Sequence, residues 1–241
     1  MSRKFEFERG AQDSDFERRW LAKLSGCLDE AVGEEARKRV MEGSDRLSSG
    51  STKQEVIDWT RGAVGRLEAL AGEEKAGEVL TGCACQYPRQ RLDPIREKYA
   101  QTHDLDLVHG MLQEQFLSTT KDFLKLTDDQ LKDIVRRGWG VAGVRKGNMI
   151  IATKMPYEFH EYWKASTPVE RRYRYCHCHR VRESMREGGE PIPVTYCYCG
   201  AGFYKGIWEY ILQRPVRVEV LESILKGDDV CRITVHLPED A

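Results

Sequence analysis

The spacing of the apolar residues changes near residue 140, and this change constrains the fold more than any other feature of the chain. Before it, apolar residues recur every three or four positions, as from Trp20 to Leu24, which is the period of an amphipathic helix. After it they alternate with polar residues, as from Val216 to Val218, which is the period of a strand with one buried face. The sequence therefore predicts an α+β fold.

The two periods divide the chain into two predicted parts. Residues 1–138 are expected to be mainly helical, and residues 139–241 to form an α+β domain with an antiparallel sheet. In the second part we predict a hairpin that turns near Lys146–Asn148, a helix over Ala201–Leu212 and a final hairpin that turns at Lys226–Asp229.

Helix starts are indicated by Ser or Thr followed three positions later by Glu or Gln. This spacing is typical of a capping box, in which side chain and backbone satisfy each other at the first turn. Three such pairs are present: Ser14 with Glu17, Ser51 with Gln54, and Thr127 with Gln130.

The charge of the chain argues against several classes of partner. Its 38 basic and 39 acidic residues give a formal net charge of −1, so no overall field favours nucleic acid or an anionic membrane. No apolar run approaches the roughly 20 residues of a membrane helix, and the N-terminal sequence lacks the apolar stretch of a signal peptide. We therefore expect a cytoplasmic protein with reduced thiols.

Six of the eight cysteines form three Cys-x-Cys pairs, and two of these stand in near-copies of one phrase, Tyr-Cys-His-Cys and Tyr-Cys-Tyr-Cys. If these phrases are strands, the two thiols of each pair share a face. Antiparallel pairing would place opposed Cβ atoms about 5 Å apart and gather four thiols on one face. The pairs are Cys83 with Cys85, Cys176 with Cys178, and Cys197 with Cys199.

Clustered thiols in a reducing compartment predict a metal site, with Cys176, Cys178, Cys197 and Cys199 as ligands and the remote Cys83 and Cys85 as contributors. Zinc is expected first, an iron–sulfur cluster second and copper(I) third. Catalytic or redox thiols without metal, and buried structural cysteines, are the alternatives. We interpret Cys27 and Cys231 as core residues because they lie on apolar stripes.

Aromatic and histidine side chains would occupy the opposite face of the same two strands. We predict that His177, His179, Tyr196 and Tyr198 line a small-molecule pocket there, with a plain aromatic core as the alternative. A cluster of arginines between residues 171 and 186 is interpreted as a solvated face or as a neutraliser of thiolate charge.

The C-terminal residues from Gly200 carry a Gly-rich helix start, a Val-rich strand with Glu222, and the run Gly227-Asp228-x-x-Cys231-Arg232. In these residues the chain resembles the 4-vinyl-reductase domain family and the related L-2-amino-thiazoline-4-carboxylic acid hydrolase-like proteins. The resemblance implies an α+β domain that binds small hydrophobic molecules, with zinc held partly by cysteines near this hairpin. Cys231 matches one such cysteine, while Ser223 stands where zinc-binding members carry another.

Together these features predict a metal-binding protein that binds or senses a small molecule. The alternative is a cysteine-dependent hydrolase or thiol redox enzyme, in which the helix start at Gly200 lowers the pKa of a neighbouring thiol. We expect a small-molecule ligand, no membrane and no nucleic acid, and we leave a homodimer open.

Overall fold

The computed structural model describes residues 16–48, 50–187 and 189–239, and the capping box expected at Ser14 lies outside these ranges. Within them the chain forms ten α-helices and four β-strands, with short 3-10 helices at Ser44–Arg46, Val194–Cys197 and Ile224–Lys226. The helices are α1 (Phe16–Val32), α2 (Glu34–Val40), α3 (Lys53–Gly82), α4 (Arg89–Thr102), α5 (Leu105–Leu124), α6 (Asp128–Arg136), α7 (Phe159–Lys164), α8 (Pro168–Tyr175), α9 (His179–Glu187) and α10 (Tyr198–Leu212). The strands are β1 (Val144–Lys146), β2 (Met149–Thr153), β3 (Arg217–Glu222) and β4 (Arg232–His236).

The described part of the chain confirms the predicted α+β class, because six helices precede a small sheet that is interleaved with four more. The sheet is antiparallel throughout, with strand order β1-β2-β4-β3. Both predicted hairpins form, since β1 pairs with β2 and β3 pairs with β4. Val235 of the central strand β4 lies between Ile150 and Val218 in the register, and all three are buried.

Two helix starts show how closely local signals determine the structure. The predicted capping box of Thr127 and Gln130 begins α6. The one predicted at Ser51 is wrong by one residue: Thr52 accepts a hydrogen bond from the Glu55 N–H at 3.2 Å, and Glu55 accepts from the Thr52 N–H at 2.7 Å. Both boxes satisfy N–H groups that the first turn leaves unpaired.

Helix α10 joins the helical region to the sheet. It packs on α3 and α4 at one side and on β3 and β4 at the other, and its Trp208 is fully buried. Gly202 allows α10 to approach α3 closely, since a Cβ atom there would stand 2.0 Å from the Thr81 carbonyl oxygen. The apolar core is therefore continuous across the two predicted parts.

Among the described residues, no helix is both long and apolar enough to cross a membrane.

Candidate functional site

Neither cysteine-bearing phrase of the second part is a strand, so that prediction is wrong. Pro168 begins α8, and the Thr167 hydroxyl caps it by accepting a hydrogen bond from the Glu170 N–H. This helix runs to Tyr175, and residues 176–178 are the short link to α9. The second phrase forms a 3-10 turn that ends at Cys197 and leads directly into α10.

The helical start of α10 separates the thiols that a strand would have kept together. Residues two apart on a helix are turned by about 200°, whereas on a strand they share a face. Cys197 accordingly lies near Cys231 and Ser223, Cys199 lies near Trp20 and Cys85, and both lie near Cys178. The two thiols of the second pair therefore have different surroundings and share Cys178 as a neighbour.

Four thiols converge beside the sheet, and we call them the thiol tetrad: Cys176, Cys178, Cys197 and Cys231. Each of the six pairs among them is close enough for the charge of one sulfur to raise the pKa of another. They come from three separate segments: the α8–α9 link, the start of α10 and the residue before β4. The tertiary fold thus assembles a site to which Cys231, predicted as core, also belongs.

Burial raises the pKa of three members of the thiol tetrad, Cys176, Cys197 and Cys231. Burial and the neighbouring thiols raise the pKa of Cys176 far above its usual range, and raise the pKa of Cys197 to about 12. Burial also raises the pKa of Cys231, against the charge of Lys154. The Cys176 thiol lies 3.9 Å from the Cys178 carbonyl oxygen, and the Cys178 thiol lies 3.8 Å from the Tyr196 hydroxyl.

Hydrogen bonds of the Tyr175 side chain hold the α8–α9 link against the sheet. Its hydroxyl donates to the Lys154 carbonyl oxygen at 2.6 Å and accepts from the Cys231 N–H at 2.9 Å. The ring is fully buried. Because Tyr175 precedes Cys176 directly, this contact brings the α8–α9 link against β4 and so places Cys176 near Cys231.

Two cations lie close to the thiol tetrad. Arg180 is 1% exposed, donates to the Tyr196 hydroxyl at 2.8 Å and forms an ion pair with Glu17. Its guanidinium also stands 4.0 Å from the centre of the Trp20 ring. Lys154 reaches over the start of α10, where a Cβ atom on Gly200 would stand 2.6 Å from its Nζ. Arg180 belongs to the arginine cluster of the sequence analysis and Lys154 does not, and the neutralising role of that cluster stays a prediction.

The four predicted ligand-binding residues do not form one layer. His179 bonds to Glu17 at 3.1 Å, and Tyr196 accepts a hydrogen bond from Arg180. Because Arg180 and Glu17 form an ion pair, His179 and Tyr196 belong to one hydrogen-bond network. His177 instead bonds to the Met155 carbonyl oxygen at 2.6 Å, and burial lowers its pKa to about 4. Tyr198 packs on Gly77 of α3. Their ligand-binding role stays a prediction.

The first cysteine pair lies at the end of α3. Cys83 is buried and contacts Cys27 of α1, while Cys85 is exposed and lies near Cys199. The contact between the two thiols lowers the pKa of Cys27 to about 7 and, with burial, raises the pKa of Cys83. The helix start at Gly200 was expected to activate a thiol, but burial raises the pKa of Cys199 to about 11.

In the described ranges, no three His, Cys, Asp or Glu side chains are already arranged to hold a metal ion. Sequence reasoning missed Cys231 and Lys154 as neighbours of the other thiols. For Cys231 a signal existed in the Gly227-Asp228-x-x-Cys231-Arg232 run, whereas Lys154 carried none.

Residues 163–240 match the model of a family of unknown function (DUF6144). The matched segment contains the whole thiol tetrad and Arg180, and it excludes Lys154, Cys27, Cys83 and Cys85. No curated protein and no solved structure matches the chain.

Proposed function

We propose that the chain binds a soft metal ion through the thiol tetrad, with zinc as the first candidate and an iron–sulfur cluster as the second. The proposal is supported by four thiols from three separate segments, each pair of them close enough for the charge of one sulfur to raise the pKa of another. Four cysteine thiolates at about 2.3 Å form a closed tetrahedral zinc site. Cys83, Cys85 and Cys199 remain predicted contributors, linked to the tetrad through the neighbourhood of Cys199 and Cys178.

Metal binding would change the protonation and the rotamers of the tetrad. Each thiol gives up a proton on binding, and the side chains turn from their present acceptors toward one point. Zinc with four thiolates carries about two negative charges. Arg180 and Lys154 are placed to offset that charge, Arg180 through the Tyr196 hydroxyl.

The proposal includes a cytoplasmic location and a small-molecule binding or sensing role. All eight cysteines are free thiols, which suits a reducing compartment. The resemblance to the 4-vinyl-reductase domain implies a zinc ligand at Cys231 and a small hydrophobic ligand, and both remain proposals.

Elemental analysis of the purified full-length chain tests the metal site. We expect about one zinc per chain, or iron with sulfide and visible absorption if a cluster is bound. Cobalt added to stripped protein should give the intense thiolate charge-transfer band of a sulfur site. Cys197→Ser and Cys231→Ser should lose the metal, while Cys27→Ser, a cysteine outside the tetrad and not among the predicted ligands, should retain it.

The result that contradicts the proposal is equally concrete. Stripped wild-type protein that folds normally, takes up neither zinc nor cobalt and matches Cys231→Ser in thermal unfolding would remove it. A structural zinc site contributes on the order of 10 kcal/mol, so chelation of a bound ion should be visible as a large fall in the unfolding temperature.

The contact between Cys27 and Cys83 favours a second candidate function, thiol redox chemistry. Cys27 is half-buried and its pKa of about 7 makes a large fraction thiolate at neutral pH. A hydroperoxide would oxidise the Cys27 thiolate to a sulfenic acid and leave as an alcohol. The Cys83 thiol would then attack that sulfur, releasing water and closing a disulfide.

Peptide mapping under non-reducing conditions distinguishes this candidate from the metal site. One equivalent of hydrogen peroxide should link the peptides of Cys27 and Cys83, and Cys27→Ser should abolish the link while Cys85→Ser leaves it. The alkylation rate of Cys27 should rise with pH through a midpoint near 7, because the thiolate is the reactive form. Slow alkylation and no linked peptide would exclude the redox role without affecting the tetrad.

A further inference from the structure

A cleft of about 580 Å³ lies between α4 and α10, with the end of α3 as its floor. This volume falls within the range of roughly 300–1,000 Å³ that is usual for small-molecule sites. Its lining residues belong to these helices and to the loop before α4, so the cleft lies apart from the thiol tetrad. A ligand of this cleft would therefore be distinct from a metal bound by the tetrad.

Basic side chains converge on this cleft from both walls. Arg89 and Arg96 come from α4 and Lys205 from α10. Both guanidiniums stand against one aromatic ring, at 5.4 Å and 4.9 Å from the centre of Tyr210. The fold thus places two positive charges, Arg89 and Arg96, beside the same Tyr210 ring.

Tyr210 is itself held in place. Its hydroxyl donates to Asp93 at 2.5 Å, and Asp93 also lies 3.4 Å from Arg96. The ring that carries both arginines is therefore positioned by a residue of the same helix, α4, from which the arginines come. An arrangement fixed in this way presents the guanidiniums before any ligand arrives.

The carboxylates near the cleft are already engaged. Glu209 forms an ion pair with Lys205 and accepts a hydrogen bond from the Val216 N–H at 3.1 Å. Asp93 accepts from the Tyr210 hydroxyl and lies beside Arg96. In the described part of the chain Arg89 forms no ion pair, and its contact is the Tyr210 ring. Arg96 and Lys205 each pair with one of these two carboxylates, so the uncompensated positive charge lies at Arg89.

A glycine on α10 keeps the cleft free of a side chain at one point. Gly206 faces Gln86, and a Cβ atom there would stand 3.2 Å from Gln86 Oε1. Gln86, Thr81 and Gln213 add neutral polar groups to the lining. A guanidinium binds the paired oxygens of a carboxylate or phosphate through two parallel hydrogen bonds.

We propose that this cleft binds a small dianionic molecule, a phosphate monoester or a dicarboxylate, through Arg89 and Arg96. Lys205 lies on the opposite wall and supplies a second point of attraction. The two ligand sources share adjacent anionic oxygens, which is the chemistry that paired guanidiniums recognise.

Calorimetric titration of the full-length chain tests this site, with phenyl phosphate and malonate as probes and sodium chloride at matched ionic strength as the blank. Saturable binding of either anion above the blank is expected. Arg89→Gln should weaken it about tenfold, and the double change with Arg96→Gln further, as expected for lost charge-assisted hydrogen bonds. Arg136→Gln removes the same charge from an exposed position on α6 and should leave binding unchanged.

The two probes distinguish the two classes of ligand. Binding of phenyl phosphate alone assigns a phosphate ester, and binding of malonate alone assigns a dicarboxylate. Saturable binding of neither anion would overturn the proposal, as would equal weakening by Arg136→Gln or no weakening by Arg89→Gln. Arg89→Gln removes no ion pair of the described fold, so its effect reports on the cleft and not on folding.

Discussion

Replacement of Gly202 by alanine is the sharpest test of how α10 meets α3. An added Cβ atom would stand 2.0 Å from the Thr81 carbonyl oxygen and 2.7 Å from its carbon, where an ordinary contact begins at 3.4 Å. Both neighbours are backbone atoms, so the two helices must move apart by more than about 1 Å. Overpacking of this kind costs about 1–3 kcal/mol.

Alanine also has an advantage over glycine inside a helix, of about 0.5–1 kcal/mol. This gain is smaller than the cost of a clash with backbone atoms. We therefore expect Gly202→Ala to lower the free energy of unfolding by about 2 kcal/mol. For a chain of this length that is a fall in unfolding temperature of about 4–8 °C.

The matched control is Gly26→Ala in α1, where an added Cβ atom meets nothing within 4 Å. The chemical change is the same and the position is again helical, so only the propensity gain remains. We expect Gly26→Ala to raise the free energy of unfolding by about 0.5–1 kcal/mol. Urea unfolding followed by circular dichroism measures both variants.

Equal or greater stability of Gly202→Ala than of wild type would refute the reasoning, because α3 and α10 would then not approach as closely as described. A loss of stability in both variants would also refute it, since Gly26 has no contact to disturb.

Two further predictions concern single side chains. Arg180→Met should lower the free energy of unfolding by about 3 kcal/mol, because the partly buried Glu17 carboxylate loses its arginine and keeps only His179; Arg136→Met, at an exposed ion pair, should change it by less than about 0.5 kcal/mol. A small effect of Arg180→Met in urea unfolding would contradict its burial. Thr52→Ala should cost about 1 kcal/mol through loss of the α3 cap, whereas an equal loss in Ser51→Ala would favour the cap that the sequence first indicated.

Local patterns predicted the elements whose stability is local. The final hairpin follows from the alternation of Val216, Val218 and Val220, and the α6 start follows from Thr127 and Gln130. The cap joins residues three apart, and the two strands of the hairpin follow each other directly along the chain, so the spacing of residue types carries the information.

The two cysteine phrases show the opposite case. Tyr-Cys-His-Cys and Tyr-Cys-Tyr-Cys are nearly identical, yet the first ends a helix and becomes an extended link, while the second enters α10. The difference comes from flanking residues: Thr167 and Pro168 start α8 upstream of the first phrase, and Gly202 lets α10 pack on α3 after the second. These flanking residues lie outside the two phrases, so the phrases alone could not predict which secondary structure each would adopt.

By itself, the sequence determined the α+β class, both hairpins and the presence of paired thiols, because periodicity and composition act along the chain. Only the tertiary structure decided which thiols meet. Helical geometry turned Cys199 away from Cys197, and the Tyr175 hydroxyl brought the α8–α9 link against β4, so that Cys231 joined the tetrad. Neighbours that are 55 residues apart in sequence, as Cys176 and Cys231 are, become visible only when the chain has packed.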